Sequence, residues 1–251
     1  MTGTPKEWLE VAKAAIREGA FQIEDSRKKG SRVESAFGRD IKLAADKAAD
    51  LAMTDFLKKN SPFTILSEES GLSTVVGSEL RWIVDPLDGS FNFHRGLPCY
   101  GISVALWEEN EPLVGAVLDI SHAELFSGIV GEGAWCNEKP ISVSELADRS
   151  QAALCTGFPV ASDFDDESLQ SHFARIRSFK KVRMLGSAAV ALCQVACGRA
   201  DFYLEQGVQF WDVAGGLALV KAAGGNVSLE QRTKGGWNIE AWNGRLGVEK
   251  F

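Results

Sequence analysis

Apolar residues recur at helical spacing from Trp8 through Leu9, Ala12, Ala15, Ile16 and Ile23, behind a Thr4-Pro5-x-Glu7 start that reads as a capping box with proline in the first turn. A long first helix is predicted. Over residues 28–39 this pattern dissolves into polar residues bounded by Gly30 and Gly38, which predicts a mobile loop. Helical spacing resumes from Asp40 through Ala49, Met53 and Phe56 to about Lys58. Residues 63–66 predict a short strand ending at Ser67-Glu68-Glu69. The run Trp82-Ile83-Val84 predicts a buried strand that stops at the turn Asp85-Pro86-Leu87-Asp88-Gly89. Alternating segments at residues 102–106, 113–118 and 125–129, with turns at Glu109-Asn110 and at residues 131–133, predict an antiparallel meander. Further strands are expected near residues 153–156, 182–185 and 201–204, and helices at residues 168–177 and 187–197. A last apolar helix starts at Trp211-Asp212 and is ended by Gly224-Gly225.

Strands and helices thus alternate without a Gly-x-Gly-x-x-Gly fingerprint, an α/β class with no dinucleotide fold and no internal repeat. The best candidate boundary, residues 151–166, separates a half at residues 1–150 from a half at residues 151–251 within one compact unit. At 251 residues, 45% hydrophobic and 24% charged, the chain has the composition of an ordinary globular enzyme with a large core. Its formal charge of -7, with no long Lys or Arg run, argues against a general nucleic-acid binder. An acidic chain that handles small anions needs local positive charge, which divalent cations can supply.

The five cysteines are odd in number and scattered without a Cys-x-x-Cys pair, which suits reduced thiols in a cytoplasmic protein. Cys193 and Cys197, four apart on an apolar helix, read as core residues rather than metal ligands. His94, His122 and His172 share no ligand spacing, which disfavours zinc and favours a cation held by oxygen. No stretch approaches the length of a membrane span, and the first residues lack an apolar run with basic flanks, so a soluble, intracellular protein is expected.

The candidate chemistry centres on the stretch from Arg81 to Pro98. Asp85 and Asp88 arrive at a turn that Pro86 stiffens and Gly89 leaves open to a ligand. An ordinary turn rich in turn formers would read the same way. The second stretch, Trp211-Asp212-Val-Ala-Gly, changes the balance by placing a third acid at a helix start. Glu68 and Glu69, adjacent at a strand end, cannot both point one way, so one of them faces the same place. Asp46 faces either solvent or the site.

With these residues, the chain resembles the inositol monophosphatase family of magnesium-dependent, lithium-sensitive phosphatases. Leu66-Ser-Glu68-Glu69-Ser, Trp82-Ile-Val-Asp85-Pro-Leu-Asp88-Gly-Ser and Trp211-Asp212-Val-Ala-Gly with Gly224-Gly225 match its motifs in order, and the likeness covers nearly the whole chain. The resemblance implies a layered αβαβα sandwich of the sugar phosphatase type and a homodimer. It also implies Mg2+-dependent hydrolysis of a small phosphate monoester by an activated water. Glu68, Asp85 and the Leu87 carbonyl would hold one magnesium, Asp85, Asp88 and Asp212 a second, and a third, weak position is an option. Asp46 and Ser90 would be catalytic, linking to the attacking water. The amides of Gly89 and Ser90 would hold phosphate oxygens, and Gly186, Ser187, Ala188 and Glu205 would meet substrate hydroxyls.

Residues 28–39 would lie over the active site. Ser90 departs from the threonine, and Leu43-Ala44 from the Val-Thr, that most of the family carries. The implied partner is a small phosphorylated metabolite, with inositol monophosphate the default and no nucleic acid or membrane involved. Nucleotide 3'-phosphates, fructose bisphosphate and histidinol phosphate are alternatives on the same site, and a regulatory or binding protein on a phosphatase scaffold is an alternative of another class.

Overall fold

The computed structural model describes residues 3–30, 33–37, 40–76, 78–158 and 164–247. Helix α1 (Pro5–Lys28) starts as its sequence predicts: the Thr4 hydroxyl accepts from the Glu7 amide at 3.3 Å, and the Glu7 carboxylate accepts from the Thr4 amide at 2.7 Å. The chain then departs from prediction. Strand β1 (Val33–Phe37) pairs antiparallel with β2 (Asp40–Leu43), and α2 (Ala44–Asn60) begins only after it. The predicted loop is therefore a hairpin in part, with residues 31, 32, 38 and 39 outside the described residues, and Asp40 lies on a strand rather than opening a helix. Each arm carries only two apolar residues at alternating positions (Val33 and Phe37, with Ser35 between; Ile41 and Leu43), a pattern too short to stand out among its charges.

Strands β3 (Thr64–Ser67), β4 (Gly71–Ser73), β5 (Leu80–Asp88), β6 (Gly101–Glu108), β7 (Glu111–Asp119), β8 (Glu124–Ile129), β9 (Gly133–Cys136) and β10 (Lys139–Ile141) form one sheet in the order β10-β9-β8-β7-β6-β5-β3-β4. The predicted meander is β6-β7-β8. All neighbours are antiparallel except β3 and β5, which run parallel. The short helix α3 (Ser90–Arg95) follows β5. β5 does not stop at Val84 but continues to Asp88, with Asp85 opposite Ser103 and Asp88 opposite Gly101. Three steps on β5 thus match two on β6. The bulge falls where Pro86 has no N–H for the ladder.

The second sheet contains β11 (Ala153–Thr156), β12 (Lys181–Arg183), β13 (Phe202–Val208), β14 (Asn226–Gln231) and β15 (Trp237–Trp242), in the order β12-β11-β13-β15-β14. The predicted strand at residues 182–185 is β12, which ends at Arg183, and the Leu185 carbonyl beyond it accepts from Asn92. The β14-β15 hairpin escapes prediction because β14 is largely polar and exposed. Helices α4 (Asp166–Ile176), α5 (Ala188–Ala196) and α6 (Phe210–Ala222) complete the chain.

Side-chain alternation on the first sheet sorts the layers. Trp82, Val84, Ile102, Val104 and Leu106 face α1 and α2, whereas Ile83, Ala105, Trp107 and Val117 face α5 and α6. α5 and α6 are apolar almost all round because the second sheet covers their far side through Tyr203, Ile239 and Ala241. α4 packs outside that sheet, with Ile176 and Phe179 against Leu154, Phe202 and Leu204. The order helix, sheet, helix, sheet, helix is the αβαβα sandwich expected. Its largest core joins residues on both sides of residue 150, from Ile83 to Ile239. Among the described residues no helix is long and apolar enough to cross a membrane.

Candidate active site

The parallel pairing of β3 with β5 brings the first two acidic motifs together. Ser67 stands opposite Val84, and the Glu68 amide donates to the Val84 carbonyl at 3.2 Å, so Glu68 leaves the sheet beside Asp85. Asp85 is buried; its Oδ1 accepts from the Leu87 amide at 3.1 Å, while its Oδ2 is buried with no hydrogen-bond partner among the described residues. α6 delivers the third acid. Asp212 lies in its first turn and accepts from the Gln209 amide at 3.1 Å.

Asp88 is anchored from the other side. Its Oδ2 takes the Ser187 hydroxyl at 2.6 Å and the Ala189 amide at 2.7 Å, and the amides of Gly89 and Ala188 add to the set. The structure therefore directs the Ser187 hydroxyl at Asp88, while the same oxygen caps α5 by accepting from the Val190 amide at 3.2 Å.

The electrostatics reflect this crowding of acids. Burial, then the charges of Glu68, Asp88 and Asp212, hold the Asp85 carboxyl well above the usual carboxylate range. Asp212 is raised by burial and by Asp88 and Glu68, and burial pushes Asp88 up to about 6 against the hydrogen bonds that favour its charged form. Four acids that disfavour one another's ionisation are costly unless positive charge is added. As they stand, among the described residues no three His, Cys, Asp or Glu side chains are arranged to enclose one ion. The donor set nonetheless fits a hard divalent cation: all the candidate ligands are oxygen, and Asp85 keeps an oxygen turned inward without a proton donor.

Asp46 sits in the first turn of α2, buried, with Oδ2 accepting from the Leu43 amide at 2.7 Å and Oδ1 at 3.5 Å from the Ser90 hydroxyl. The Ser90 hydroxyl donates at 2.8 Å to the carbonyl of Leu87. Asp46, Ser90 and the predicted carbonyl ligand are thus one cluster. Glu205 lies buried in the middle of β13, next to the Tyr203 ring and under Gly157, where a Cβ would come within 2.5 Å of its Oε1. Burial, with the Asp88 charge as a lesser cause, pushes it up to about 8. Arg95, next to the site in sequence, sits over the exposed Phe91 ring, 5.7 Å from its centroid.

Two residues here were not singled out by sequence reasoning. Asp50, one helical turn after Asp46, is buried and accepts from the Ser67 hydroxyl, tying α2 to the Glu68 strand. The i, i+4 acids Asp46 and Asp50 were the available signal. Asn92 donates to both Cys99 and Leu185 carbonyls, and a buried amide between Phe91 and Phe93 gave only a faint hint. Cys193, by contrast, is a fully buried free thiol in the core, as expected.

The model of the inositol monophosphatase family matches residues 4–246. The chain is similar to a fructose-1,6-bisphosphatase/inositol-1-monophosphatase of Aquifex aeolicus, 34% identical over 96% of this chain and 92% of that protein. It is also similar to a Nus factor SuhB of Pasteurella multocida, 39% identical over 72% of this chain and 69% of that one. Among solved structures it resembles an inositol monophosphatase from Anabaena, with a TM-score of 0.83 and 32% identity over 96% of this chain and 92% of that chain.

Proposed function

The chain belongs to the inositol monophosphatase family of phosphoric monoester hydrolases, which act on small phosphorylated substrates with divalent metal, and we propose that it hydrolyses inositol monophosphate or a related sugar phosphate with magnesium. The observation that carries this reading is the inward, partnerless Asp85 Oδ2 surrounded by the charges of Glu68, Asp88 and Asp212. Glu68, Asp85 and the Leu87 carbonyl are assigned to one ion, and Asp85, Asp88 and Asp212 to a second. When bound, magnesium supplies the positive charge that phosphoryl transfer demands and the Lewis acidity that lowers the pKa of water.

The chain's own groups do the rest. Asp46 and Ser90 orient the attacking water, and at the start of α3 the Ser90 amide, together with the Gly89 amide that also donates to the Asp88 carboxylate, is offered to phosphate oxygens. Gly89 can bring its backbone there because its φ is +84°, a conformation that side chains oppose. Gly186, Ser187, Ala188 and Glu205 border the leaving-group side. There Ser187 serves by holding Asp88, and Glu205, protonated below about pH 8, can donate a hydrogen bond to a substrate hydroxyl. A cytoplasmic homodimer completes the proposal.

Phosphate release across a panel of inositol, sugar, nucleotide 3'- and histidinol phosphates with added magnesium tests it. Asp88→Asn is expected to lower kcat on the order of 10²-fold or more while the fold survives, because a carboxylate that organises the electrostatics of the site is lost. A folded Asp88→Asn protein within about threefold of wild type rejects the assignment. A second reading, a partner-binding role on the same scaffold, is favoured by the likeness to the relative named as a Nus factor. Release of phosphate from no member of the panel would move the reading there.

A further inference from the structure

Asn92 lies in α3, four residues after Asp88, and is buried. Its side-chain amide nitrogen carries two hydrogens, and both are used: one goes to the Cys99 carbonyl and one to the Leu185 carbonyl, each at 2.8 Å. These acceptors belong to two otherwise separate loops, one leading into β6 and one leading into α5. The Cys99 loop is held in a conformation it would not choose alone, since Cys99 has a φ of +66°. Its amide is fixed as well, donating to the Ser121 hydroxyl at 2.8 Å.

Beyond Leu185 the chain turns at Gly186, where φ is +79° and a Cβ would stand 2.9 Å from Asn92 Nδ2. The next residues, Ser187 and Ala189, make the hydrogen bonds that hold Asp88 Oδ2. Gly89 closes the knot from the other side, because a Cβ there would meet the Cys99 carbonyl at 2.9 Å and the Gly186 carbonyl at 3.2 Å.

We propose that Asn92 is the positioning residue that locks the loop before α5 onto the Asp85-to-Gly89 motif, and through Ser187 and Ala189 fixes where the Asp88 carboxylate points. The proposal rests on the hydrolase reading above, in which Asp88 is a metal ligand. Only a neutral amide of this length serves. An aspartate of the same shape would set a carboxylate against two carbonyl oxygens. Partners that orient a ligand from outside the coordination sphere typically contribute 10–100-fold in metal affinity or activity, so the loss of Asn92 should be read there.

The experiment compares wild type with Asn92→Asp, Asn92→Ala, Ser187→Ala and the Asn92→Ala/Ser187→Ala double variant. Magnesium affinity is measured by titration calorimetry on the metal-free protein, and kcat and KM on inositol 1-phosphate, or on the best substrate of the panel. Asn92→Asp should bind magnesium, or turn over, about 10–100-fold more weakly, with KM within about threefold. The double variant should fall no more than about threefold below the worse single variant, because both changes release the same carboxylate. Wild-type magnesium affinity and kcat in folded Asn92→Asp overturns the proposal, as do fully multiplicative losses in the double variant. Loss of the melting transition in every Asn92 variant overturns it too, since Asn92 would then be a core residue and nothing more. A wild type that neither binds magnesium nor releases phosphate refutes the hydrolase reading itself, a different outcome from an active wild type with an indifferent Asn92.

Discussion

Ser90 is the residue whose chemistry depends most on a choice between two acceptors. Its hydroxyl proton goes to the Leu87 carbonyl at 2.8 Å, and Asp46 stands farther off at 3.5 Å. In the proposed mechanism, a cation held by the Leu87 carbonyl would make it a poorer acceptor and free the hydroxyl to work with Asp46. Ser90→Ala is therefore expected to lower kcat on the order of 10²-fold with little change in KM, as for a contact made mainly in the transition state. Asp46→Asn should resemble it, and the double variant should cost far less than the product of the two. Steady-state kinetics on the four proteins checks this, and independent losses would dissolve the pair. The acids themselves were legible in the sequence because they sit in short motifs at strand and helix ends. The residues that aim them were not: Asn92 acts on carbonyls 7 and 93 positions away, and no local pattern encodes such a distance.

At the scale of elements, the close seat of α6 on the first sheet is made by glycines. A Cβ at Gly115 on β7 would stand 2.6 Å from the Gly215 carbonyl oxygen and 2.7 Å from the Ala218 Cβ, so backbone and not a pliant side chain blocks it. Gly115→Ala should cost on the order of 1–3 kcal/mol, from overpacking. A urea melt would show this as a lower midpoint at an unchanged slope. If the midpoint does not move, the layer is looser than the geometry says. Strongly periodic or apolar elements such as α1, α5 and β6-β7-β8 could be read from sequence because one face, or all of them, is buried. The β1-β2 and β14-β15 hairpins could not, for they are short or polar and their pairing is set by neighbours. β5 was cut short at Val84 because Pro86 looks like a stop, whereas a bulge carries the strand through it.

For the whole molecule, buried acids make stability depend on pH and on cation together. Burial, with the Asp88 charge as a lesser cause, pushes the Glu205 carboxyl from an ordinary 4.5 up to about 8. Between those values the folded state holds a proton that the unfolded state has released, so stability falls as pH rises through the window. In a chelator the melting temperature should therefore decline from about pH 5 to 8. Glu205→Gln should flatten part of that slope; an unchanged slope would mean that Glu205 is not the source. Magnesium at about 100 times its dissociation constant should raise the melting temperature of wild type by roughly 5–10 °C.

The core that joins Ile83 to Ile239 also has a bearing on how the protein is made. A nascent chain that has reached residue 150 carries the whole first sheet, covered on one face by α1 and α2 and bare on the other. Trp107, Val117 and Phe126 wait on the ribosome for α5 and α6, and Asp212 arrives only with the latter. A stalled or truncated product therefore exposes the apolar face of that sheet and lacks an acid that the proposed mechanism needs, so under that reading synthesis releases no half-competent enzyme.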